Sequence, residues 1–439
     1  MNEREVDVLV ICALKDEYDS LLKIQNEYNS EWKLSTLVNG YIASETLLKT
    51  IDGNEITILA TWLSHMGRET AQSISTKLIH EVRPRLIAMS GICAGYRGKV
   101  SLGDVIFADK LCSYDSGKII VEGNNKTFRA DPLPYRPSSN MVQYMQNISS
   151  IIKGEENEWL TQRPLYSLEF QENWVLKQIY ENKIPLEEDT FDEYCPDWTQ
   201  VLGRLLKKGL IEKPLNLTNK GKDYIEQLML FHPKQLPKDR EFQIHVAPIL
   251  TGAQVQEDEN LFNQLSFGER KVLGIDMEAS GLGSVSEIYD IPSIVVKGVS
   301  DYADTFKDDR YREFAAYASA YALITYLRHY YNKIIDIRTY TSSNQIPPSE
   351  LASNNTMADD EILSELTELY ETNDEISILW EQAGGKKSTL EMKNRPKDTW
   401  FALWNNVKKG TKVTGKDLLI IAYKDYPENE KIKAYLESL

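Results

Sequence analysis

Cysteine is scarce in this chain of 439 residues. There are four, Cys12, Cys93, Cys112 and Cys195, and no two share a CxxC spacing. That argues against a disulfide framework and a cysteine zinc site, and it suits reduced thiols in the cytoplasm. Positive charge is also in deficit: 50 Lys+Arg stand against 66 Asp+Glu, a formal net charge of -16. A protein that binds nucleic acid without regard to sequence needs a basic face to displace counterions, so this balance argues against nucleic acid as a partner. It leaves room for a local anion pocket. No apolar run approaches the ~20 residues of a membrane helix, so no membrane association is expected. The first residues, MNEREVDVLVICAL, lack a signal-peptide cleavage pattern and read as a first β-strand.

What the chain does contain is alternation. Val6–Ile11 is a β-branched apolar run of the kind buried on both faces of a sheet. A helix is expected from Asp16 to Lys23, a strand over Ile56–Ala60 and a helix from Glu69 to Glu81. Leu86–Ser90 reads as a strand followed by a glycine-containing loop, Gly91 to Gly98. Val105–Ala108, Ile244–Leu250, Gly274–Met277 and Ser293–Lys297 are further strands, and a long helix runs from Arg310 to about Tyr331. The fold class expected is α/β, a central mixed sheet flanked by helices, occupying 1–140 and 242–335.

Residues 141–241 break the rhythm. Helices over Trp174–Glu181 and Pro196–Lys208, then Gly209-Leu210-Ile211, then LTNKGKDYIEQL, resemble a winged helix inserted into the α/β domain. The 196–208 helix offers only Arg204, Lys207 and Lys208 as cations, thin for a recognition helix, which favours a helical decoration over a DNA reader. Residues 336–359 include a Ser-, Asn-, Pro- and Thr-rich stretch that reads as a linker. From 360 to 439 the pattern is an all-α bundle built round Trp380, Trp400, Phe401, Trp404 and Tyr435, with Asp374, Thr389 and Asn429 as candidate N-caps. It holds no histidine, cysteine or paired-carboxylate constellation, which suits a binding module.

Carboxylates at strand ends carry the chemistry. Glu278 follows GIDM, Asp301 follows IVVKGVS, and Glu17 follows the first strand. Ligands of open α/β sheets sit beyond the carboxyl ends of the strands. One such carboxylate alone is more often a cap or a surface charge; three in one domain point to a single acidic crevice. Cations stand nearby: Arg68 at a helix start, Arg97 and Lys99 beside the glycine-containing loop, and Lys297 before VSD. Each could hold phosphate, and each could equally make a surface salt bridge. Tyr114, Asp115 and Lys118 read as a loop over the same cleft, while His65 and His245 read as buried or structural.

Three segments, ICALKDEYDSLL, MSGICAGYRGKVSLGDVIFAD and GIDMEASGLGSVSEIYDIPSIVVKGVSDYAD, together resemble the nucleoside phosphorylase/nucleosidase superfamily, in the pattern of 5′-methylthioadenosine/S-adenosylhomocysteine nucleosidases. The resemblance covers roughly residues 5–140 and 242–331. It implies a phosphorylase-like fold, no metal and no cofactor, a purine nucleoside or nucleotide as substrate, and a homo-oligomer formed through this domain. Residue by residue it implies that Glu278, with Met277 beside it, binds the ribose hydroxyls. It makes Asp301, oriented by Ser300, the general acid at purine N7, and Glu17 the group that activates water. Gly91, Ile92 and Cys93 would line the substrate, with Arg68 and Lys297 as candidate phosphate contacts. Two departures matter. Ile92 stands where phosphorylases place a hydroxyl for phosphate, which favours hydrolysis. Val255 stands where nucleosidases often place a sugar-packing Phe, which opens the sugar side. The final bundle, with ILWEQAGGKKSTL, DTWFALWNNVKKG and YPENEKIKAYL, resembles the effector-associated domain of type 1 of bacterial conflict systems. That resemblance implies recruitment of a protein partner and a role as an antiviral effector.

Overall fold

The structure is a computed structural model. It describes residues 5–24, 30–37, 39–122, 125–130, 134–154, 158–252, 262, 271–304, 307–343, 356–370, 372–390, 392–393, 396–408, 413–429, 431–433 and 436. The chain divides into two units, Met1–Asp336 and Ile337–Leu439.

In the first unit, β1 (Val8–Cys12), β2 (Lys33–Thr36), β3 (Ile42–Lys49), β4 (Glu55–Trp62), β5 (Leu86–Gly95), β6 (Val105–Ser113), β11 (Ile244–Thr251), β12 (Gly274–Asp276) and β13 (Ser293–Asp301) form one nine-stranded mixed sheet. Its order is β12-β11-β6-β13-β5-β1-β4-β3-β2. β5 runs parallel to β1 and β13, whereas β13 and β6 are antiparallel. The carboxyl end of β5 also pairs antiparallel with the start of β12, Gly95 opposite Gly274, which closes β12, β11, β6, β13 and β5 into a ring. Short strands β7 (Gly117–Glu122) and β8 (Asn125–Ala130) form a separate hairpin.

Period-two alternation sorts the sheet's side chains onto two covered faces. Val8, Val10, Leu86, Ala88, Phe107 and Val296 face one core with α1 (Lys15–Leu22), α3 (Ser139–Gly154) and α9 (Arg310–Ser343). Leu9, Ile11, Ile87, Met89, Val295 and Val299 face the other, with α2 (Arg68–Val82) and α8 (Ala279–Ile288). Burial on both sides is why VLVIC reads as an uninterrupted apolar run.

The expected 141–241 insertion divides on packing. Met141, Met145, Ile148 and Ile152 of α3 belong to the sheet's core. A separate hydrophobic cluster begins at Leu168 and takes in Trp174, Val201, Leu205, Ile211 and Ile225. It is formed by α4 (Leu168–Tyr180), α5 (Phe191–Tyr194), α6 (Trp198–Lys208), α7 (Asn219–Phe231) and a two-stranded hairpin, β9 (Ile211–Glu212) with β10 (Asn216–Leu217), between α6 and α7. This is a small helical module with one hairpin.

Two expectations need correction. The residues read as a loop from Gly91 continue β5 as far as Gly95. Partners on both sides make this possible: Gly91, Ile92 and Cys93 pair with Lys297, Gly298 and Val299 of β13, Ala94 pairs with Asp301 across a register shift, and Ala94 and Gly95 pair with β12. The linker expectation also changes. Helix α9 runs on through Ser343 and α10 (Thr356–Leu369) starts at Thr356; residues 344–355 lie outside the described residues.

The second unit holds α10, α11 (Asn373–Gln382), α12 (Pro396–Lys408) and α13 (Gly415–Asp425). Ile362, Leu366, Leu379, Trp380, Trp400, Trp404 and Leu418 share its core. The α11 cap is Thr372, in a capping box with Glu375, and not Asp374. Thr389 lies in a 3-10 turn, while Asn429 Oδ1 accepts from the amides of Lys431 and Ile432, as a cap does. Tyr435 lies outside the described residues, as does the side chain of Phe401. No helix among the described residues is long and apolar enough to cross a membrane.

Candidate active site

The carboxyl half of β5 is the spine of the site. Glu17 lies in the first turn of α1, directly after β1. Its Oε2 accepts from the Leu14 amide and its Oε1 from the Ile92 amide, both at 2.9 Å. The carboxylate lies flat against Gly91: a Cβ there would sit 2.5 Å from Glu17 Oε1. A side chain at 91 would therefore displace the Glu17 carboxylate. Burial raises the Glu17 pKa above the usual carboxylate range, against the pull of Lys297 and the two amides.

Glu278 precedes α8, which follows β12. It is 5% exposed, and its Oε1 accepts from the Gly67 amide at 3.0 Å, at the start of α2. Burial first, and Asp276 after it, push its pKa up to about 7 despite Lys297. Asp276, two residues earlier, accepts from the Thr251 hydroxyl at 2.8 Å and from the Ala279 amide at 3.0 Å. Met277 between them is half-buried.

Asp301 ends β13, opposite Ala94. Its Oδ2 accepts from the Ser300 hydroxyl at 2.8 Å and its Oδ1 from the Ala303 amide at 2.9 Å. Asp301 also lines a cavity of about 220 Å³ shared with the helical module. Cys93 is buried on β5, and the charges of Lys297, Asp276, Asp301 and Glu17 act on it. Burial dominates there and drives the Cys93 thiol pKa upward, so it is a neutral wall.

Lys297 is not the phosphate contact expected of it. Its side chain is fully enclosed, and Nζ lies 3.1 Å from Asp276 Oδ2 in an ion pair whose angles fall outside those of a hydrogen bond. Burial would lower its pKa, but Asp276, Glu17 and Glu278 more than offset this and raise it. It is an internal counter-charge for three carboxylates. Arg68, at the start of α2, keeps a partly exposed guanidinium. It donates to Ser113 Oγ at 2.8 Å and to Asp115 Oδ1 at 2.7 Å, and it also pairs with Glu69. Arg97 pairs with Glu169 and Asp304. His245 binds Asp104 at 2.8 Å, a structural role, and His65 is exposed. Val255 lies outside the described residues.

Several site residues carried no role in the sequence reading. Asp276 and Thr251 brace the Glu278 turn. Tyr96 and Phe262 stack with centroids 5.0 Å apart, in an apolar cluster with Ala94, Cys112, Leu250 and Ala303 against which Tyr114 packs. The Asp of DMEA was a visible signal; the Tyr96–Phe262 pair, far apart in sequence, was not. Among the described residues, no group of three or more His, Cys, Asp or Glu could hold a metal ion.

Comparison with known proteins agrees in outline. Residues 3–165 match the model of the phosphorylase superfamily, and residues 356–439 match that of effector-associated domain 1. An uncharacterized protein, y4jS, of Sinorhizobium fredii is 26% identical over 321 residues, 72% of this chain and 60% of that protein. ATP nucleosidase Cap17 of Escherichia coli is 24% identical over 324 residues, 73% of this chain and 51% of that protein. The chain thus spans between half and three-fifths of the length of these relatives. Among solved structures, 5′-methylthioadenosine/S-adenosylhomocysteine nucleosidase from Neisseria meningitidis superposes with a TM-score of 0.43 at 13% identity, over 73% of this chain and 98% of its own. Futalosine hydrolase of Helicobacter pylori superposes with a TM-score of 0.43 at 11% identity, over 73% and 97%. Two stretches of the chain thus match family models, residues 3–165 that of the phosphorylase superfamily and residues 356–439 that of effector-associated domain 1.

Proposed function

We propose that the first unit is an N-glycosidase that hydrolyses a purine nucleoside or nucleotide to free base and ribose or ribose phosphate. The observation that carries this reading is the convergence of Glu17, Glu278 and Asp301 on the end of β5. Breaking the N9–C1′ bond builds positive charge on the sugar and leaves an electron pair on the base. Asp301, held by Ser300 and the Ala303 amide, supplies a proton to N7 of the leaving base. Glu278 accepts hydrogen bonds from the ribose hydroxyls. Glu17 takes the proton of the water that attacks C1′. The Tyr96, Phe262 and Tyr114 cluster offers the base an apolar stacking surface.

Hydrolysis is favoured over phosphorolysis by the chemistry of 90–93. Ile92 brings no hydroxyl, its amide is taken by Glu17, and the Ser90 hydroxyl is buried against that of Ser319 at 3.1 Å. The name of the Escherichia coli relative makes ATP the first substrate to test, and Arg68 is the cation we assign to its phosphates. For the second unit, the effector-associated domain match supports recruitment of a protein partner and a role as an antiviral effector. We expect a homo-oligomer through the first unit.

The test is incubation of the full chain with adenosine, AMP, ATP, NAD and methylthioadenosine, with and without phosphate, and chromatography of the products. Free purine and reducing ribose without phosphate are expected. Base release only with phosphate, yielding ribose 1-phosphate, overturns the hydrolase reading. Saturable nucleotide binding without base release would instead favour a nucleotide sensor.

A further inference from the structure

Arg97 sits where three parts of the first unit meet. It lies two residues past β5. Its guanidinium pairs with Glu169, in the first turn of α4, and with Asp304, just beyond the candidate acid. It also lies 4.3 Å from the ring centroid of Tyr302. Tyr302 and Asp304 flank Ala303, whose amide holds Asp301 Oδ1 and whose φ is +56°. That left-handed backbone is disfavoured for alanine, so its neighbours must hold it.

The helical module grips the same segment further along. Asp308 accepts from the Leu168 amide at 2.9 Å, Arg204 donates to the Lys307 carbonyl at 3.0 Å, and Arg310 donates to the Tyr166 carbonyl at 3.1 Å. Near Asp301, by contrast, module and segment are separated by the 220 Å³ cavity, whose lining includes Arg97, Glu169, Asn173, Arg204, Asp301 and Tyr302. The Arg97–Glu169 pair is half-exposed and worth little alone. Asp304 is only 4% exposed, so removing Arg97 takes a cation away from a buried carboxylate in the turn that follows Asp301.

We propose that Arg97 is a positioning residue through which the helical module holds Asp301 in its proton-donating geometry. This rests on the reading of Asp301 as the acid.

The test compares two leaving groups in the full chain. A purine needs the proton from Asp301, whereas p-nitrophenolate leaves from p-nitrophenyl riboside without one. Arg97→Ala should lose ~10–100-fold in kcat on the purine substrate with little change in KM, because small misplacements of a catalytic group are costly. It should retain p-nitrophenyl riboside hydrolysis. Glu169→Ala should shift the same ratio less, and Arg97→Lys should restore part of the loss. Parallel losses on both substrates, or no loss on either, overturn the proposal. If the wild-type chain releases no base from any purine substrate, the functional reading fails first, and hydrogen exchange decides the positioning. Faster exchange confined to the 302–304 amides in Arg97→Ala supports the link; unchanged exchange there removes it.

Discussion

Lys297 Nζ lies 3.1 Å from Asp276 Oδ2, and both side chains are closed off from solvent. This pair sits at the centre of an otherwise acidic site. It lets Glu17, Asp276 and Glu278 converge without mutual repulsion opening the sheet. Breaking a buried pair by removing one partner costs about 3–5 kcal/mol. Lys297→Met should therefore lower the unfolding free energy by that order in a urea titration, and Lys297→Arg by much less. An unaltered midpoint in Lys297→Met would show that the carboxylates need no counter-charge.

Glu278 makes stability and activity depend on pH in opposite senses. Its pKa, raised from 4.5 to about 7 in the folded chain, means that the folded state binds the proton more tightly. Between those values this group makes the unfolding free energy fall as pH rises, by up to ~1.4 kcal/mol per pH unit. Glu278→Gln should remove that slope between about pH 5 and 7. Ribose binding by the ionised carboxylate requires the reverse: kcat/KM should rise through about pH 7 in the wild type, and that limb should vanish in Glu278→Gln.

Gly91→Ala would set a methyl group 2.5 Å from Glu17 Oε1. The carboxylate would have to leave the Ile92 and Leu14 amides. Base release should fall by more than ~10-fold, since orientation is worth orders of magnitude in rate. Circular dichroism and the melting temperature check that the sheet persists; full activity in a folded variant would remove Glu17 from the mechanism.

Asp301→Asn keeps the shape and loses the proton. A loss of ~10²–10⁴-fold in kcat with KM nearly constant is the expected signature of a general acid. A change confined to KM would reassign Asp301 to binding.

Arg68 already holds Ser113 and Asp115. A 5′-phosphate arriving there must take over the Asp115 contact. Arg68→Ala should cost ATP or AMP ~10–100-fold in KM and adenosine little, the worth of one charge-assisted contact. Equal losses on all three would make Arg68 a brace for the 113–115 segment.

Alternation of apolar strands and amphipathic helices was enough, from sequence alone, to indicate an α/β domain. VDVLVI and IPSIVVK can be apolar throughout only if both faces of the sheet are covered. Carboxylates after strand ends were legible because ligands of α/β sheets gather beyond the carboxyl ends of strands. The aromatic-rich C-terminal run likewise read as a separate helical unit, because its core residues recur locally.

Tertiary structure decided what depends on distant partners. Whether Gly91 to Gly95 is loop or strand rests on β13 and β12 pairing with it, more than a hundred and fifty residues away. Lys297 looks the same in sequence whether it faces phosphate or Asp276, since one residue's register on β13 decides between them. Arg97 reads as one more surface cation until folding brings Glu169 and Asp304 to it. Local pattern encodes which elements form, whereas the sign and accessibility of a charge are set by what the fold places within a few ångströms of it.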